Sequence, residues 1–305
     1  MERKQLEYFL TVASHGSFTS AAQALRIAQP SLSYAIRVLE REVGAQLFRR
    51  LGRGVVLTDM GEALLDPARK VLHDFSQVRA VAQQVAGVVI GRVDIVAVTT
   101  LAVDPLAAFI GAFRSRFPGV EFNVVDPENA AAVVDYVRRG RSELGLTEHS
   151  VSTTGMRSLN LPEQEIMAVL PPTAQPPESG ALSVAELARL DFVTTPRGTT
   201  TRSVLDDVLA DEGVLPRIAV ELTHRAAIVP LVLAGAGAAL LPRSLAEDAE
   251  KLGAVVVGLR PPLSRRGVLI WPSTSLSPAA QAFVDLVAQW PPGRSTHPED
   301  SRGTE

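Results

Sequence analysis

Cysteine is absent from this 305-residue sequence. That single absence removes disulfides, thiolate nucleophiles and cysteine-bound metal centres from consideration. Long apolar runs are also lacking. The longest, Leu231 to Leu241, contains two glycines and is bounded by Pro230 and Pro242. It falls well short of the roughly 18–20 residues that a membrane-spanning helix needs, so it reads as a buried core segment and no membrane partner is expected. The five histidines show no metal-ligand spacing, and neither a metal nor another cofactor is expected. Enzyme signatures are missing: there is no Gly-x-Ser-x-Gly elbow and no phosphate loop, and Gly235-x-Gly237 has Leu240 where a dinucleotide site needs its third glycine. The start, Met1-Glu2-Arg3-Lys4, leads into an amphipathic pattern instead of an apolar signal core, which predicts a cytoplasmic protein.

What is present is a globular composition, 46% hydrophobic and 21% charged, at a length that predicts two domains. The net charge of −3 hides an asymmetry. Residues 1–58 carry eight basic and four acidic side chains, a surplus of +4, and the remainder carries 22 basic and 29 acidic, a deficit of −7. A basic head on an acidic body points to a polyanionic partner for the head alone.

The head reads as helices and a hairpin. Leu6, Phe9, Leu10 and Ala13 predict a first helix over about Gln5–His15, stopped by Gly16. Phe18-Thr19 reads as a staple and an N-cap opening a short helix over Ala21, Ala22 and Leu25. After the turn Arg26-Ile27-Ala28, a third helix begins at Gln29-Pro30, with Leu32, Ile36, Leu39 and Val43 inward and Ser31, Ser33, Tyr34, Arg37 and Arg41 outward. Residues 47–50 and 55–57 predict two short strands around the turn 51–54.

Thr58 then caps a long helix, predicted to reach about Ala86 with a kink near Pro67. Leu64, Ala68, Val71, Phe75, Val78, Ala82 and Val85 alternate in steps of four and three, a coiled-coil seam that favours pairing with a second chain. A long amphipathic helix packed on its own domain would show a similar stripe.

Beyond the linker 87–91, short apolar runs alternate with helical patterns, predicting an α/β body with a largely parallel sheet. The alternation restarts after Pro162. Residues 292–305, rich in proline, glycine, serine and charge, read as a disordered tail.

At residues 5–62 the spacing becomes specific. Gln5-Leu6-x-x-Phe9, Gly16-Ser17-Phe18-Thr19-x-Ala21-Ala22-x-x-Leu25, Gln29-Pro30-Ser31-Leu32-Ser33-x-x-Ile36-x-x-Leu39-Glu40, Gly44-x-x-Leu47-Phe48-Arg49-Arg50 and Leu57-Thr58-x-x-Gly61 resemble the LysR-type transcriptional regulators in order and spacing. Gly235-Ala236-Gly237-Ala238-Ala239-Leu240-Leu241-Pro242 is similar to a segment of their effector domains.

The resemblance implies a winged helix-turn-helix over 1–58, a dimerising linker helix over 59–90 and a two-lobed α/β effector domain over 91–291. That domain would be similar to type 2 periplasmic binding proteins, with lobe I at about 91–161 plus 268–291 and lobe II at about 162–267. It implies promoter DNA, a homodimer or homotetramer, RNA polymerase and a small-molecule effector as partners. A non-enzymatic architectural DNA-bending protein without an effector is the alternative.

On that reading the recognition helix offers Gln29 to an adenine edge, Pro30 to a thymine methyl and Arg37 to a guanine or phosphate, with Ser31, Ser33 and Tyr34 beside them. Arg49, Arg50 and Arg53 suit phosphate or minor-groove contacts from the wing. Leu64, Val71, Phe75, Val78 and Val85 are the dimerisation candidates.

Ligands of open α/β lobes bind at the carboxyl ends of strands. Thr99, Thr100, Thr147, Thr199, Thr200 and Thr201 occupy such positions, and Arg197, Arg202 or Arg225 could neutralise a carboxylate effector there. Thr100 and Thr200 also match the position of the family's cleft. His149 and His224 read as surface-loop residues near the same opening.

Overall fold

The computed structural model describes residues 1–52, 54–84, 89–210 and 213–291. Arg53, Val85 and the tail 292–305 lie outside the described residues. The chain divides into two compact units, Met1–Ile90 with Arg138–Arg141, and Gly91–Val137 with the residues from Ser142 onward.

The first unit contains α1 (Arg3–His15), α2 (Phe18–Leu25), α3 (Gln29–Val43), the hairpin β1 (Phe48–Leu51) and β2 (Gly54–Leu57), and α4 (Asp59–Gln84). Gly16 ends α1 in the left-handed region at φ 59°, where glycine carries no steric cost. With the chain already turned there, Ser17 is the extended residue (φ −154°) and caps α2 by accepting from Ser20 N at 3.4 Å. The cap expected at Thr19 therefore sits two residues earlier, and Phe18 is helical. Phe18 still acts as a clasp: its ring meets Phe48 edge-on at 5.7 Å, and Phe9 lies 5.5 Å from the same ring.

Leu6, Phe9, Val12, Leu32, Ile36, Leu39 and Leu47 are buried around this aromatic group. The hairpin is anchored by Val55 N donating to Gly16 O at 2.8 Å. Thr58 Oγ1 accepts from Gly61 N at 3.1 Å, the cap expected for α4. Pro67 lies inside α4 without ending it.

In the second unit, β3 (Gly91–Ala97), α5 (Thr99–Leu101), α6 (Ala107–Arg116), β4 (Val120–Val125), α7 (Ala130–Arg138) and β5 (Leu144–Glu148) build one lobe. The strands β6 (Met156–Leu170) and β12 (Leu263–Pro272) run through both lobes. The second lobe holds β7 (Ala181–Ser183), α8 (Val184–Leu187), β8 (Asp191–Thr194), α9 (Thr200–Ala210), β9 (Arg217–Glu221), α10 (Ile228–Leu233), β10 (Ala239–Pro242), α11 (Arg243–Lys251) and β11 (Val255–Arg260). The closing helix α12 (Pro278–Ala288) returns to the first lobe, where Phe283 meets Phe113 edge-on at 5.5 Å.

The sheet order is β4-β3-β5-β12-β6-β11-β7, with β10 also paired to β6 and a separate β8-β9 pair. It is mixed, not largely parallel as expected. β3 pairs parallel to β4 and β5, β11 to β7 and β8 to β9, but every partner of β6 and β12 is antiparallel.

The cause lies in the two crossing strands. Met156–Asn160 pairs with Val268–Pro272 in one lobe, and Glu163–Ile166 pairs with Leu263–Arg266 in the other. The register shifts between Arg266 and Val268. Gly267 sits at that shift, where a Cβ would stand 2.8 Å from both methyls of Leu101. Lobe II packs apolar groups on both sheet faces, Leu187, Phe192 and Leu209 on one and Val169, Val232 and Leu241 on the other.

Among the described residues no helix is long and apolar enough to cross a membrane.

Candidate nucleic-acid interface and effector cleft

Because Leu32, Ile36 and Leu39 turn inward, α3 presents Gln29, Pro30, Ser31, Tyr34, Arg37 and Arg41 to solvent, with Tyr34 62% exposed. Ser33 is half-buried, and its Oγ receives the Gln29 side-chain amide at 2.7 Å. This i,i+4 bond orients Gln29 along the helix. A concavity of about 630 Å³ opens between α3 and the hairpin. It brings together Gln29, Ser33, Arg37, Arg49 and Arg50. Tyr34 instead lines a neighbouring hollow of about 780 Å³ with Arg37 and Arg41. Pro30 and Ser31 are exposed on the same helix but line neither.

One positioning group was not singled out by residue type. Glu40, on α3, accepts from Leu47 N at 2.8 Å and from Phe48 N at 3.4 Å through Oε1. Its carboxylate thus fastens the recognition helix to the first residues of the wing. The sequence signal was its place in the motif Leu39-Glu40, with a hairpin starting seven residues later.

The stripe along α4 divides. Leu64 packs with buried Ala68 against the first unit's own core. Val71 is 37% exposed, and Phe75 and Val78 are 52% and 70% exposed, leaving an apolar strip uncovered within this chain.

Within the second unit, Thr100 from lobe I and Thr200 and Thr201 from lobe II line one cleft. Its walls are Leu101, Ile166, Val204 and Leu240, with Gln164, Glu148, Arg265 and Arg266 as further polar groups. The free volume, about 30 Å³, is on the scale of a water or two.

The other threonines have other partners. Thr147 is fully buried and donates to Ala130 O at 2.9 Å. Thr199 donates to Pro196 O at 2.7 Å and shares a 2.5 Å hydrogen bond with Thr195. Thr99 bonds Asp126 at 3.0 Å and also receives Arg225.

The arginines expected to serve an anion do not line this cleft. Arg202 is buried against Asp206 (2.8 Å) and Glu221 (3.1 Å), Arg225 pairs with Asp126 at 2.9 Å, and Arg197 is exposed. The lining cations are Arg265 and Arg266, in the polar half of β12, N-terminal to its apolar run Val268–Trp271. Arg265 lies 3.3 Å from Glu148 and 2.5 Å from Asp207. Burial pushes the Glu148 carboxyl above the usual carboxylate range, against the opposing pull of Arg265. His149 and His224 are exposed and outside the cleft lining.

Comparison with known proteins places both units. The family described as "Bacterial regulatory helix-turn-helix protein, lysR family" matches residues 3–62, and "LysR substrate binding domain" matches residues 86–291. The RuBisCO operon transcriptional regulator of Allochromatium vinosum is 28% identical over 290 residues, covering 93% of this chain and 94% of that protein. The regulator ShiR of Corynebacterium glutamicum is 30% identical over 242 residues, covering 79% and 82%. Among solved structures, CbnR in complex with its target DNA has the same fold, with a TM-score of 0.71 at 22% identity over 94% of this chain and 99% of that one. These relatives are regulators, not enzymes, and the chain belongs to the LysR family of bacterial transcriptional regulators.

Proposed function

We propose that this protein binds promoter DNA as a dimer or tetramer in the cytoplasm and that a small molecule between the two lobes sets its effect on transcription. The observation that carries the DNA half is the shared groove of Gln29, Ser33, Arg37, Arg49 and Arg50, which pairs base-reading donors with phosphate-binding cations. CbnR, of the same fold, is known in complex with its target DNA, which supports this use of the groove. Pro30, Ser31 and Tyr34 flank it on the exposed helix face, and Arg53 extends the basic wing in sequence.

The assembly is supported by the uncovered strip Val71, Phe75 and Val78. Ligand response is supported by a cleft lined from both lobes, Thr100 facing Thr200 and Thr201. A ligand larger than a few atoms must part the lobes, and that movement supplies a signal. RNA polymerase is the partner through which such a change would act.

The test is selection of bound fragments from sheared genomic DNA, followed by titration of the recovered site. Arg37→Ala should weaken specific binding by ~1–3 kcal/mol and relax preference at one position. Equal loss on the selected site and on random DNA would make Arg37 a phosphate contact only, and failure to enrich any fragment would overturn the DNA reading.

A further inference from the structure

A recognition helix meets base edges with the side opposite its own core. On α3 that side is fixed by buried Leu32, Ile36 and Leu39. At about 100° per residue, Tyr34 and Arg41 fall within about 20° of the line directly opposite those three. Gln29 and Ser33 lie well round the helix, toward the wing whose groove they share. The outermost point in the N-terminal half of α3, where base edges lie, is therefore an aromatic ring.

That ring is bare. Tyr34 is 62% exposed, and its hydroxyl has no partner among the described residues. Its neighbours in the 780 Å³ hollow suit a polyanion. Arg41 Nε bonds only the carbonyl of Arg37, at 3.4 Å, and neither arginine has an ion pair among the described residues. Glu40, the acid among the lining groups, is spent on the amides of Leu47 and Phe48. A phosphate backbone beside Arg37 and Arg41 brings the Tyr34 ring against bases. The apolar group that bases present in the major groove is the C5 methyl of thymine. Covering that methyl with the ring removes apolar surface of both partners from water.

We propose that Tyr34 is a specificity-determining residue whose ring covers the methyl of one thymine in each half of the DNA site. This rests on the DNA reading above and names a base that the site must contain.

The experiment is a polarisation titration of the full-length protein with the duplex recovered by genomic selection, trimmed to its footprint. Thymines are replaced one at a time by deoxyuridine, which removes the methyl and leaves base pairing intact. At one thymine in each half of the site, the wild type should lose about fourfold in affinity, the worth of one methyl taken out of water. Tyr34→Ala should bind the parent duplex more weakly and show no penalty at that thymine, with penalties elsewhere unchanged. Tyr34→Phe should keep the penalty, because the ring and not the hydroxyl makes the contact. Both variants should fold, since the side chain is exposed and alanine favours the helix.

The inference is overturned if no thymine has a penalty that depends on residue 34. It is overturned equally if Tyr34→Phe loses the penalty as fully as Tyr34→Ala, which would make the hydroxyl the contact. Tyr34→Ala weakening the parent and a scrambled duplex alike, with every penalty retained, would reduce Tyr34 to a backbone contact and also overturn it. A wild type that binds the parent duplex no better than the scrambled one would instead remove the DNA reading itself, and the inference with it.

Discussion

Removing the Glu40 carboxylate tests how the wing is held on the recognition helix. In the native fold its Oε1 receives Leu47 N at 2.8 Å and Phe48 N at 3.4 Å. Leu47 is fully buried, so its amide cannot turn to water when the acceptor goes. A hydrogen bond to a charged group contributes about 1.5–3 kcal/mol, and an orphaned buried donor costs a similar amount. At 1.4 kcal/mol per decade, Glu40→Ala should speed hydrogen exchange across residues 47–57 by about 10- to 150-fold. Glu40→Gln keeps a neutral acceptor and should fall well below that.

The exchange should be read by mass spectrometry on peptides from β1 and β2, with peptides from lobe II as the internal reference. Because Arg49 and Arg50 follow the two tethered amides directly, DNA affinity should fall in the same rank order. Exchange in β1 within twofold of wild type for Glu40→Ala would refute the tether. Equal acceleration throughout the first unit would refute it too, since that marks general destabilisation.

Other outcomes follow from single contacts. Gly61→Ala places a Cβ 2.2 Å from Leu47 O, so overpacking of about 1–3 kcal/mol should outweigh the roughly 1 kcal/mol gained from alanine's helix propensity. A higher melting temperature would show that the helix start can move. Phe75→Glu with Val78→Glu should lower the molar mass by light scattering and leave the fold of each unit intact, because both side chains are more than half exposed. An unchanged mass would remove this strip from the assembly.

The Glu148 carboxyl titrates above its ordinary 4.5 in the folded state because burial outweighs Arg265. The folded protein therefore loses stability from this group as pH rises through that raised value. Glu148→Gln should melt higher than wild type above that value, and the advantage should vanish below about pH 4.5, where the acid is protonated folded or unfolded. A stability difference independent of pH would contradict the burial argument.

Local rules were enough for the head. Gly16 and Gly44, at φ 59° and 79°, end α1 and α3 where a left-handed residue is needed, and Thr58 caps α4 with its own hydroxyl. These are short-range effects, legible in a few neighbouring residues. Ser17 and Thr19 offer the same capping chemistry for α2, and only the backbone angle at Gly16 decides between them.

In the body, the alternation of apolar runs and helical faces points to the α/β layering, but α11 is mostly polar and buries only Ala246 and Ala249, too short an apolar face to stand out in the sequence. In β6 and β12 only Ile166–Leu170 and Val268–Trp271 are continuous apolar runs. The polar stretches beside them are strands because each pairs with the other across Glu163–Ile166 and Leu263–Arg266.

The winged head, the long helix and the family are legible in the amino-acid order alone, since they rest on residues close together in the chain and on spacings that local sterics enforce. The cleft exists only in the folded chain. Thr100, Glu148, Thr200 and Arg265 are far apart in sequence and meet only where the crossing strands join the lobes. Tertiary structure also decides which arginines are committed elsewhere, because charge type can be read from a sequence while a partner 3 Å away from another strand or helix cannot.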